Sequence, residues 1–206
     1  KYLIKHKIRK YRIILEPFKK NTAPAILSSA LLEEIPLNQP MIFFSSDNLI
    51  GKINQFNKSI NSYKKYLSDN NIFIFGIKPV APSSEYGYFL TKKISKKIYR
   101  VKRFIEKPNK NKAKEILKKK GYMNLGMFFA RKDSIIKNFL KHQYKMFKYC
   151  NYAVAKSKIY KNVHYLNKLS FKKLHEISFD YAILEKSKNI YAIKLNIIFS
   201  DLGNWK

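Results

Sequence analysis

Short stretches that are apolar throughout alternate along this chain with segments whose apolar residues recur at helical spacing. Residues 41–44 and 72–77 are of the first kind, which is typical of strands buried on both faces. Between them, the apolar spacing predicts a helix over residues 49–67, and the polar residues 68–71 stop it. A strand, a helix and a strand in this order indicate a βαβ unit, and hence an α/β fold with a mostly parallel sheet.

The same pattern predicts further elements up to the end of the chain. A proline-containing loop over residues 78–85 leads to two antiparallel strands, over residues 86–90 and 98–105. The remaining predictions are a helix that begins at Asn109 or Asn111 and stops at Gly121, a strand over 126–130, helices over 133–149 and 179–187 (the second capped by Ser178), a strand over 190–195 and a loop over 199–205. No repeat or linker interrupts the series, so we expect one domain over residues 1–206.

A polar turn near the start of the chain lies between a predicted strand end, residues 12–15, and a predicted helix, residues 25–32. Two prolines bracket this turn, which follows the carboxyl end of the strand, where open α/β sheets bind ligands. Asn21 and Thr22 are its candidate ligand-binding side chains. The alternative is that one of them only caps the helix.

The formal net charge of +30, from 43 Lys and Arg against 13 Asp and Glu, raises the question of a polyanionic partner. Most of these cations are lysines spread from end to end, whereas a nucleic-acid surface usually clusters Arg and Lys on a recognisable module. Abundant Lys, Asn, Ile, Tyr and Phe with only 6 Gly also match A/T-rich codons. We therefore predict no nucleic-acid partner, and keep a basic nucleic-acid-binding protein as the less favoured alternative.

Cysteine content and hydropathy indicate the cellular compartment of the protein. The single cysteine, Cys150, excludes an internal disulfide and a cysteine-based zinc site, and it fits a reducing cytosol. No apolar run approaches the roughly 20 residues that span a bilayer. Charges throughout residues 1–12 exclude a signal peptide. We predict a cytoplasmic protein without membrane contact, and the missing initiator Met indicates that the chain begins inside a longer protein.

Two aspartates are candidate metal ligands. Asp47 comes just after a predicted buried strand, and Asp201 lies in a segment where Gly203 allows a tight turn. Mg²⁺ takes one or two protein carboxylates together with substrate phosphates. Only the folded sheet could bring two such distant residues to one ion, and the alternative is that each caps a turn.

A second group of candidates follows or precedes other predicted strands. Glu106 and Lys107 end the strand over 98–105 and point to opposite sides, where a carboxylate suits sugar hydroxyls and an ammonium suits a phosphate. Gly87 and Asn124 offer a close approach of the backbone and an amide. A solvated strand end is the competing interpretation. The sequence contains no Gly-rich phosphate loop and no nucleophile elbow.

Taken in order, these pieces resemble the bacterial mannose-1-phosphate guanylyltransferases, a family of sugar-phosphate nucleotidyltransferases. The resemblance runs almost end to end, in the family's order and approximate spacing. The first and last motifs are specific to that family, and Glu-Lys-Pro at 106–108 is shared by sugar nucleotidyltransferases generally. The matching stretches are residues 15–26, 46–50, 75–79, 86–88, 104–109, 121–128, 177–186 and 200–205.

The resemblance implies a three-layer αβα fold of the glycosyltransferase-A type. It also implies an enzyme that makes GDP-mannose for polysaccharide biosynthesis from GTP and mannose 1-phosphate, releases pyrophosphate and uses Mg²⁺. Whether it forms a homo-oligomer stays open. The implied roles are Mg²⁺ binding and catalysis for Asp47 and Asp201, sugar-phosphate contact and catalysis for Lys107, mannose binding for Gly87, Glu106 and Asn124, and guanine proximity for Asn21 and Thr22.

The chain also departs from the family pattern. The family begins with a Gly-rich loop that cradles the triphosphate, and this chain starts after it, so we expect residues 1–206 alone to be inactive. Glu85 stands where a Gly is usual, and Met123 and Leu125 replace a Trp and a Ser beside Asn124. Another sugar-1-phosphate nucleotidyltransferase and a non-catalytic remnant therefore remain alternatives.

Overall fold

A computed structural model describes residue 5 and residues 7–203 of the chain. Its helices are α1 Thr22–Ala30, α2 Ile53–Lys64, α3 Lys110–Lys118, α4 Lys132–His142, α5 Tyr144–Ala155 and α6 Lys168–Lys172, followed by a π-helical turn at Asp180–Leu184. Its strands are β1 Ile13–Leu15, β2 Pro40–Phe43, β3 Asn48–Ile50, β4 Ile72–Ile77, β5 Tyr88–Lys93, β6 Tyr99–Ile105, β7 Tyr122–Arg131, β8 Lys158–Tyr160, β9 Val163–Tyr165, β10 Ile190–Lys194 and β11 Phe199–Asp201.

The central sheet has six strands in the order β2-β7-β4-β10-β6-β5, and β5 also pairs with β7. Strands β4 and β10 pair in parallel, whereas the other pairs of this sheet are antiparallel. The predicted α/β class is confirmed, but the prediction of a mostly parallel sheet is corrected to a mixed one. The reversed strand β7 is buried on both faces, so its apolar run has the same pattern in either direction.

Helices cover both faces of this sheet, which gives the predicted three layers. Successive residues of β4 point to opposite faces. Ile72 and Ile74 join a core cluster with α1, α4 and α5, whereas Phe73 and Phe75 join a second cluster with α2 and α3. All four side chains are buried. In the described part of the chain, no helix combines the length and apolar character needed to cross a membrane.

Two smaller sheets were not expected from the pattern. Strands β1, β9 and β8 form one of them, and β3 pairs with β11 to form the other. The predicted helix over 49–67 therefore begins only at Ile53, and the predicted loop over 199–205 contains a strand, with residues 204–205 lying outside the described part. The Gly51 N–H donates to the Ile198 carbonyl at 2.8 Å, and Lys52 has a left-handed conformation with φ 54°, so the chain does not become helical before Ile53. A Cβ on Gly51 would lie 2.9 Å from the Ile198 Cβ, so glycine suits this close approach.

Helix boundaries agree with the predicted caps at three positions and differ at others. At Ser178, the Oγ accepts the Tyr181 N–H at 3.4 Å. The Asn21 and Asn109 side chains accept backbone N–H bonds at the starts of α1 and α3, at 2.8 and 2.9 Å. The predicted helix over 133–149 is two helices, because Gln143 leaves helical geometry between α4 and α5. Apolar side chains of α4 and α5 are buried in the same core cluster, so the apolar spacing continues across the break.

The end of α3 corrects the role assigned to Gly121. The Gly121 N–H donates to the Ile116 carbonyl at 2.9 Å and the Lys120 N–H donates to the Leu117 carbonyl at 2.8 Å, which is a Schellman motif. The left-handed position of that motif is Lys120, with φ 59°, and not Gly121. Gly121 is needed for space, because a Cβ would lie 2.4 Å from the Ile116 Cγ2.

The Lys120→Gly substitution is expected to stabilise the protein by about 0.5–1 kcal/mol, because glycine adopts the left-handed conformation without the penalty of a side chain. The matched change Gly121→Ala is expected to destabilise it by about 1 kcal/mol or more, because the added methyl overlaps Ile116. Urea denaturation of the two variants measures both effects. Equal stability of the two variants would contradict this assignment of the motif.

Candidate active site

Two adjoining cavities form one cleft at the end of the central sheet. The first has a volume of about 570 Å³ and is called the large lobe, and the second, of about 260 Å³, is called the small lobe. The residues that line both lobes are Ser45, Glu106, Lys107, Gly126 and Asp180. Because the lobes share these residues, a ligand in one lobe lies directly beside a ligand in the other.

The fold places most of the predicted site residues along this cleft. Glu106 and Lys107 lie between the two lobes. Asp47 is exposed and is not among the residues that line either lobe, although it lies beside Asp201. The others divide between the lobes, with Asn21 and Thr22 in the large one and Gly87, Asn124 and Asp201 in the small one.

The turn that carries Asn21 is strained and held from both sides. Asn21 has φ 68° and ψ −171°, a conformation that is essentially reserved for glycine. Its side chain caps α1, as one of the two sequence-based interpretations expected. The Thr22 Oγ1 accepts the Phe179 N–H at 2.9 Å, and the Ala23 N–H donates to the Ile177 carbonyl at 3.2 Å. The turn is thus fixed to segment 177–179, at the mouth of the large lobe.

Gly87 lets a carboxylate and an amide approach the same piece of backbone. A Cβ on this glycine would lie 2.5 Å from the Glu106 Oε2 and 3.5 Å from the Asn124 Cβ. The Gly87 carbonyl accepts the Asn124 N–H at 2.8 Å, which fixes the two segments to each other. Any larger residue at this position would displace the Glu106 carboxylate.

Two buried acceptors of the small lobe have no hydrogen-bond partner within the described residues: Glu106 Oε2 and Asn124 Oδ1. A buried polar atom without a partner costs roughly 1–3 kcal/mol. Such a cost is typical of sites where a ligand supplies the missing donors. Two neighbouring acceptors of this kind suit a pair of hydroxyl groups.

Sequence reasoning missed two acidic residues of the cleft, Asp180 and Glu185. The Asp180 Oδ1 accepts a hydrogen bond from the Asn124 Nδ2 at 3.2 Å, and the Glu185 Oε1 accepts the Glu106 N–H at 3.3 Å. Asp180 begins the π-helical turn, a geometry that is frequent at functional sites. The available signal was the matching stretch over 177–186, from which only the cap at Ser178 was interpreted.

Burial and mutual repulsion raise the pKa values of these carboxyl groups. Burial is the main cause that raises the pKa of Glu106 to about 7, and the charges of Asp180 and Glu185 add to it, whereas Lys107 opposes it. Burial also raises the pKa of Asp180, against hydrogen bonds from its own backbone and from Asn124. Near neutral pH, Glu106 and Asp180 together therefore retain a proton that two exposed carboxyl groups would have released.

The raised pKa of Glu106 makes the fold less stable as the pH rises from 4.5, its ordinary value, to about 7, because the folded state keeps a proton that the unfolded state releases. Glu106→Gln removes this penalty. We expect the variant to be more stable than the parent by about 1–2 kcal/mol at pH 8 and nearly equal to it at pH 4. Thermal or urea unfolding at both pH values measures the difference.

The exposed residue Glu115 provides the control for that experiment, since it pairs with Lys112 on the surface. Glu115→Gln is expected to change the stability by less than about 0.5 kcal/mol at either pH. A Glu106→Gln variant that is less stable than the parent at pH 8 would contradict the assignment of a partly buried carboxyl group with a raised pKa.

Asp201, which lines the small lobe, and Asp47, which lies outside it, converge beside Gly203. Strand β11 pairs with β3, and the Leu202 N–H donates to the Asp47 carbonyl at 2.9 Å. A Cβ on Gly203 would lie 2.7 Å from the Asp47 Oδ2 and 3.2 Å from the Asp201 Oδ1, so both carboxylates border one small space. No cluster of three or more His, Cys, Asp and Glu side chains suited to a metal occurs in the described part of the chain. A cation that takes two carboxylates and completes its shell from a ligand fits this pair.

Lys107 stands between the lobes in a conformation that non-glycine residues rarely adopt, with φ 43°. It is exposed and directly follows Glu106 at the end of β6. Its charge lowers the pKa values of Glu106 and Asp180. The backbone is strained at both Lys107 and Asn21, and both residues line the cleft rather than the core.

Comparison with known proteins shows what this chain is similar to. The family described as "Nucleotidyl transferase" matches residues 3–206. A mannose-1-phosphate guanylyltransferase of Salmonella montevideo is 32% identical over 201 residues, which are 94% of this chain and 42% of that protein. The alginate biosynthesis protein AlgA of Pseudomonas fluorescens is 27% identical over 208 residues, 98% of this chain and 43% of that protein. The chain thus spans less than half the length of these curated relatives.

Solved structures agree in fold. A Helicobacter pylori protein described as mannose-6-phosphate isomerase is 30% identical, has a TM-score of 0.85 and is covered over 78% of its chain, with 96% of this chain matched. A Thermus thermophilus protein described as mannose-1-phosphate geranyltransferase has a TM-score of 0.80 at 23% identity, with 93% of this chain and 55% of that chain covered. The second similarity concerns the fold alone.

Proposed function

This chain belongs to the nucleotidyl transferase family, and from that premise we propose that its cleft, within the full-length protein, transfers GMP from GTP to mannose 1-phosphate. The products are GDP-mannose and pyrophosphate. The observation that carries the proposal is the pair of unpaired buried acceptors beside Gly87, which suits the hydroxyl groups of a sugar. The relatives named mannose-1-phosphate guanylyltransferase support the choice of sugar and base.

The small lobe takes the mannose in this proposal. Glu106 Oε2 and Asn124 Oδ1 accept hydrogen bonds from sugar hydroxyls, and Gly87 leaves room for the ring against the backbone. Each hydroxyl relieves one of the buried acceptors, so binding recovers part of the cost of leaving them unpaired in the free protein.

The family generally uses a divalent metal, and we assign Mg²⁺ to Asp47 and Asp201. The residues fit, because two convergent carboxylates with phosphate oxygens of the substrate make a suitable oxygen shell. When bound, the ion neutralises negative charge on the phosphates. The backbone bond from Leu202 to the Asp47 carbonyl holds the two aspartates in register for this task.

Lys107, Asn21 and Thr22 complete the assignment. Lys107 contacts the phosphate of mannose 1-phosphate from its place between the lobes, and Asn21 and Thr22 lie beside the guanine in the large lobe. An oxygen of mannose 1-phosphate then attacks the α-phosphorus of GTP in line as pyrophosphate leaves. The residues act by position and charge, and the reaction requires no covalent intermediate with the protein.

Another sugar or base is the second candidate, and one observation favours it. Glu85 and Leu125 line the small lobe, at positions where the sequence departs from the guanylyltransferase pattern. The first candidate predicts that full-length protein releases pyrophosphate faster from GTP and mannose 1-phosphate than from UTP or dTTP with glucose 1-phosphate. Preference for a different pair would select the second candidate, and absence of turnover with every pair would favour a non-catalytic remnant.

We further propose that residues 1–206 are the nucleotidyltransferase domain of a cytoplasmic protein without nucleic-acid or membrane partners. The relatives continue well beyond the length matched here, so additional parts of the protein contribute to the activity in this proposal. Binding to arbitrary DNA at physiological salt, with a strong salt dependence, would instead revive the nucleic-acid alternative.

A further inference from the structure

The Asn124 side chain lines the small lobe and carries one donor group, Nδ2, and one acceptor, Oδ1. Its Nδ2 donates to the Asp180 Oδ1 at 3.2 Å, whereas its Oδ1 is buried with no partner among the described residues. A flipped amide would place Nδ2 in the cleft and set Oδ1 against the Asp180 carboxylate. With the Asp180 carboxyl group ionised, that contact would bring two acceptors together, which is unfavourable.

We propose that Asp180 is a positioning residue that holds the Asn124 amide with its carbonyl oxygen toward the sugar. The inference rests on the proposed function and deepens it, because Asp180 thereby sets which hydrogen-bonding group the small lobe offers. With Glu106 ionised, its Oε2 is a second acceptor in the small lobe, and the two acceptors together suit a sugar with two neighbouring hydroxyl donors.

The surroundings of Asp180 make it a rigid anchor. The π-helical turn that it begins is closed by a bond from the Glu185 N–H to the Asp180 carbonyl at 3.0 Å. The preceding residue, Phe179, donates its N–H to Thr22 and packs its ring 4.5 Å from the ring centroid of Phe128. The chain is therefore held immediately before and after the carboxylate that binds the amide.

Glu185 supports Glu106, the other residue assigned to the sugar, through its backbone. Its Oε1 accepts the Glu106 N–H at 3.3 Å, so the same turn supports both residues that face the sugar. Glu185 is exposed, and its contact is to the backbone. It therefore does not choose between two orientations of a side chain as Asp180 does.

A reciprocal exchange tests the proposal in the full-length protein. Asn124→Asp alone sets two carboxylates against each other, and we expect the KM for mannose 1-phosphate to rise about 10- to 100-fold. Adding Asp180→Asn gives the new carboxylate at position 124 a donor from the new amide and leaves its second oxygen toward the cleft. We expect the double variant to recover to within about fivefold of the parent.

Asp180→Ala provides the direct loss of the anchor. We expect about a 10-fold rise in the KM for mannose 1-phosphate and a smaller rise in the KM for GTP, because Asp180 also lines the large lobe. An unchanged far-UV circular dichroism spectrum shows that the variant is folded. Asp69→Asn is the control, because this exposed aspartate pairs with Lys137 away from the cleft and its loss leaves both constants unchanged.

Two results would overturn the inference: a double variant no better than Asn124→Asp, or an Asp180→Ala variant with an unchanged KM for mannose 1-phosphate. Failure of the proposed function is a separate outcome. In that case the unsubstituted full-length protein itself shows no turnover with GTP and mannose 1-phosphate, whatever the variants do.

Discussion

Asp201→Asn in the full-length protein is expected to lower kcat for GDP-mannose formation by about a hundred- to a thousandfold. Asp201 is one of the two carboxylates that border the space above Gly203, and the amide that replaces it carries no charge to bind a cation. The Mg²⁺ concentration that gives half-maximal rate is expected to rise as well. A titration of the initial rate against Mg²⁺ measures both quantities.

The matched control is Asp69→Asn, which removes a carboxylate of the same kind from an exposed pair with Lys137. Its rate and metal dependence are expected to equal those of the parent. Asp47→Asn should resemble Asp201→Asn, because the two carboxylates face the same space. An Asp201→Asn variant that keeps kcat within about threefold of the parent, with the same metal dependence, would exclude the assignment of this pair to the metal.

Lys107→Met is expected to lower kcat/KM for mannose 1-phosphate by about a hundred- to a thousandfold, because it removes the cation between the two lobes and keeps a flexible side chain of similar length. Lys107→Arg keeps the charge but changes its geometry, and we expect it to recover only part of the loss. Steady-state kinetics with mannose 1-phosphate as the varied substrate gives these values.

Lys110→Met controls for the loss of one positive charge near the site, since Lys110 is an exposed residue at the start of α3 and lines neither lobe. It should leave kcat/KM unchanged. If the two lysine variants lose activity to the same extent, the effect belongs to the net charge of the protein and not to Lys107.

The most accurate predictions concern elements that are defined by a pattern within a single short segment. Residues 72–77 are apolar throughout and form β4 at the same bounds, and Asn109 caps α3 as expected. Strands β3 and β11 were missed, because each is only three residues long and is defined by its pairing with the other. Such pairing between distant segments leaves no periodic signal in either segment alone.

Site prediction had a similar limit. Glu106 and Asn124 were singled out because a carboxylate and an amide next to strand ends are recognisable as chemical groups. Asp180 was not, because its role depends on a π-helical turn and on a single contact with Asn124. The periodicity over 179–187 indicates a helix but does not distinguish a π turn from an α turn, and it is the turn geometry that places the carboxylate.

A crystal structure of the full-length protein with GDP-mannose tests the account most directly. We predict mannose hydroxyl oxygens within hydrogen-bond distance of Glu106 Oε2 and Asn124 Oδ1, with the guanine in the large lobe beside Asn21 and Thr22. A sugar that lies elsewhere while these two acceptors remain unpaired would contradict the proposed site and, with it, the interpretation of the cleft as a mannose and nucleotide site.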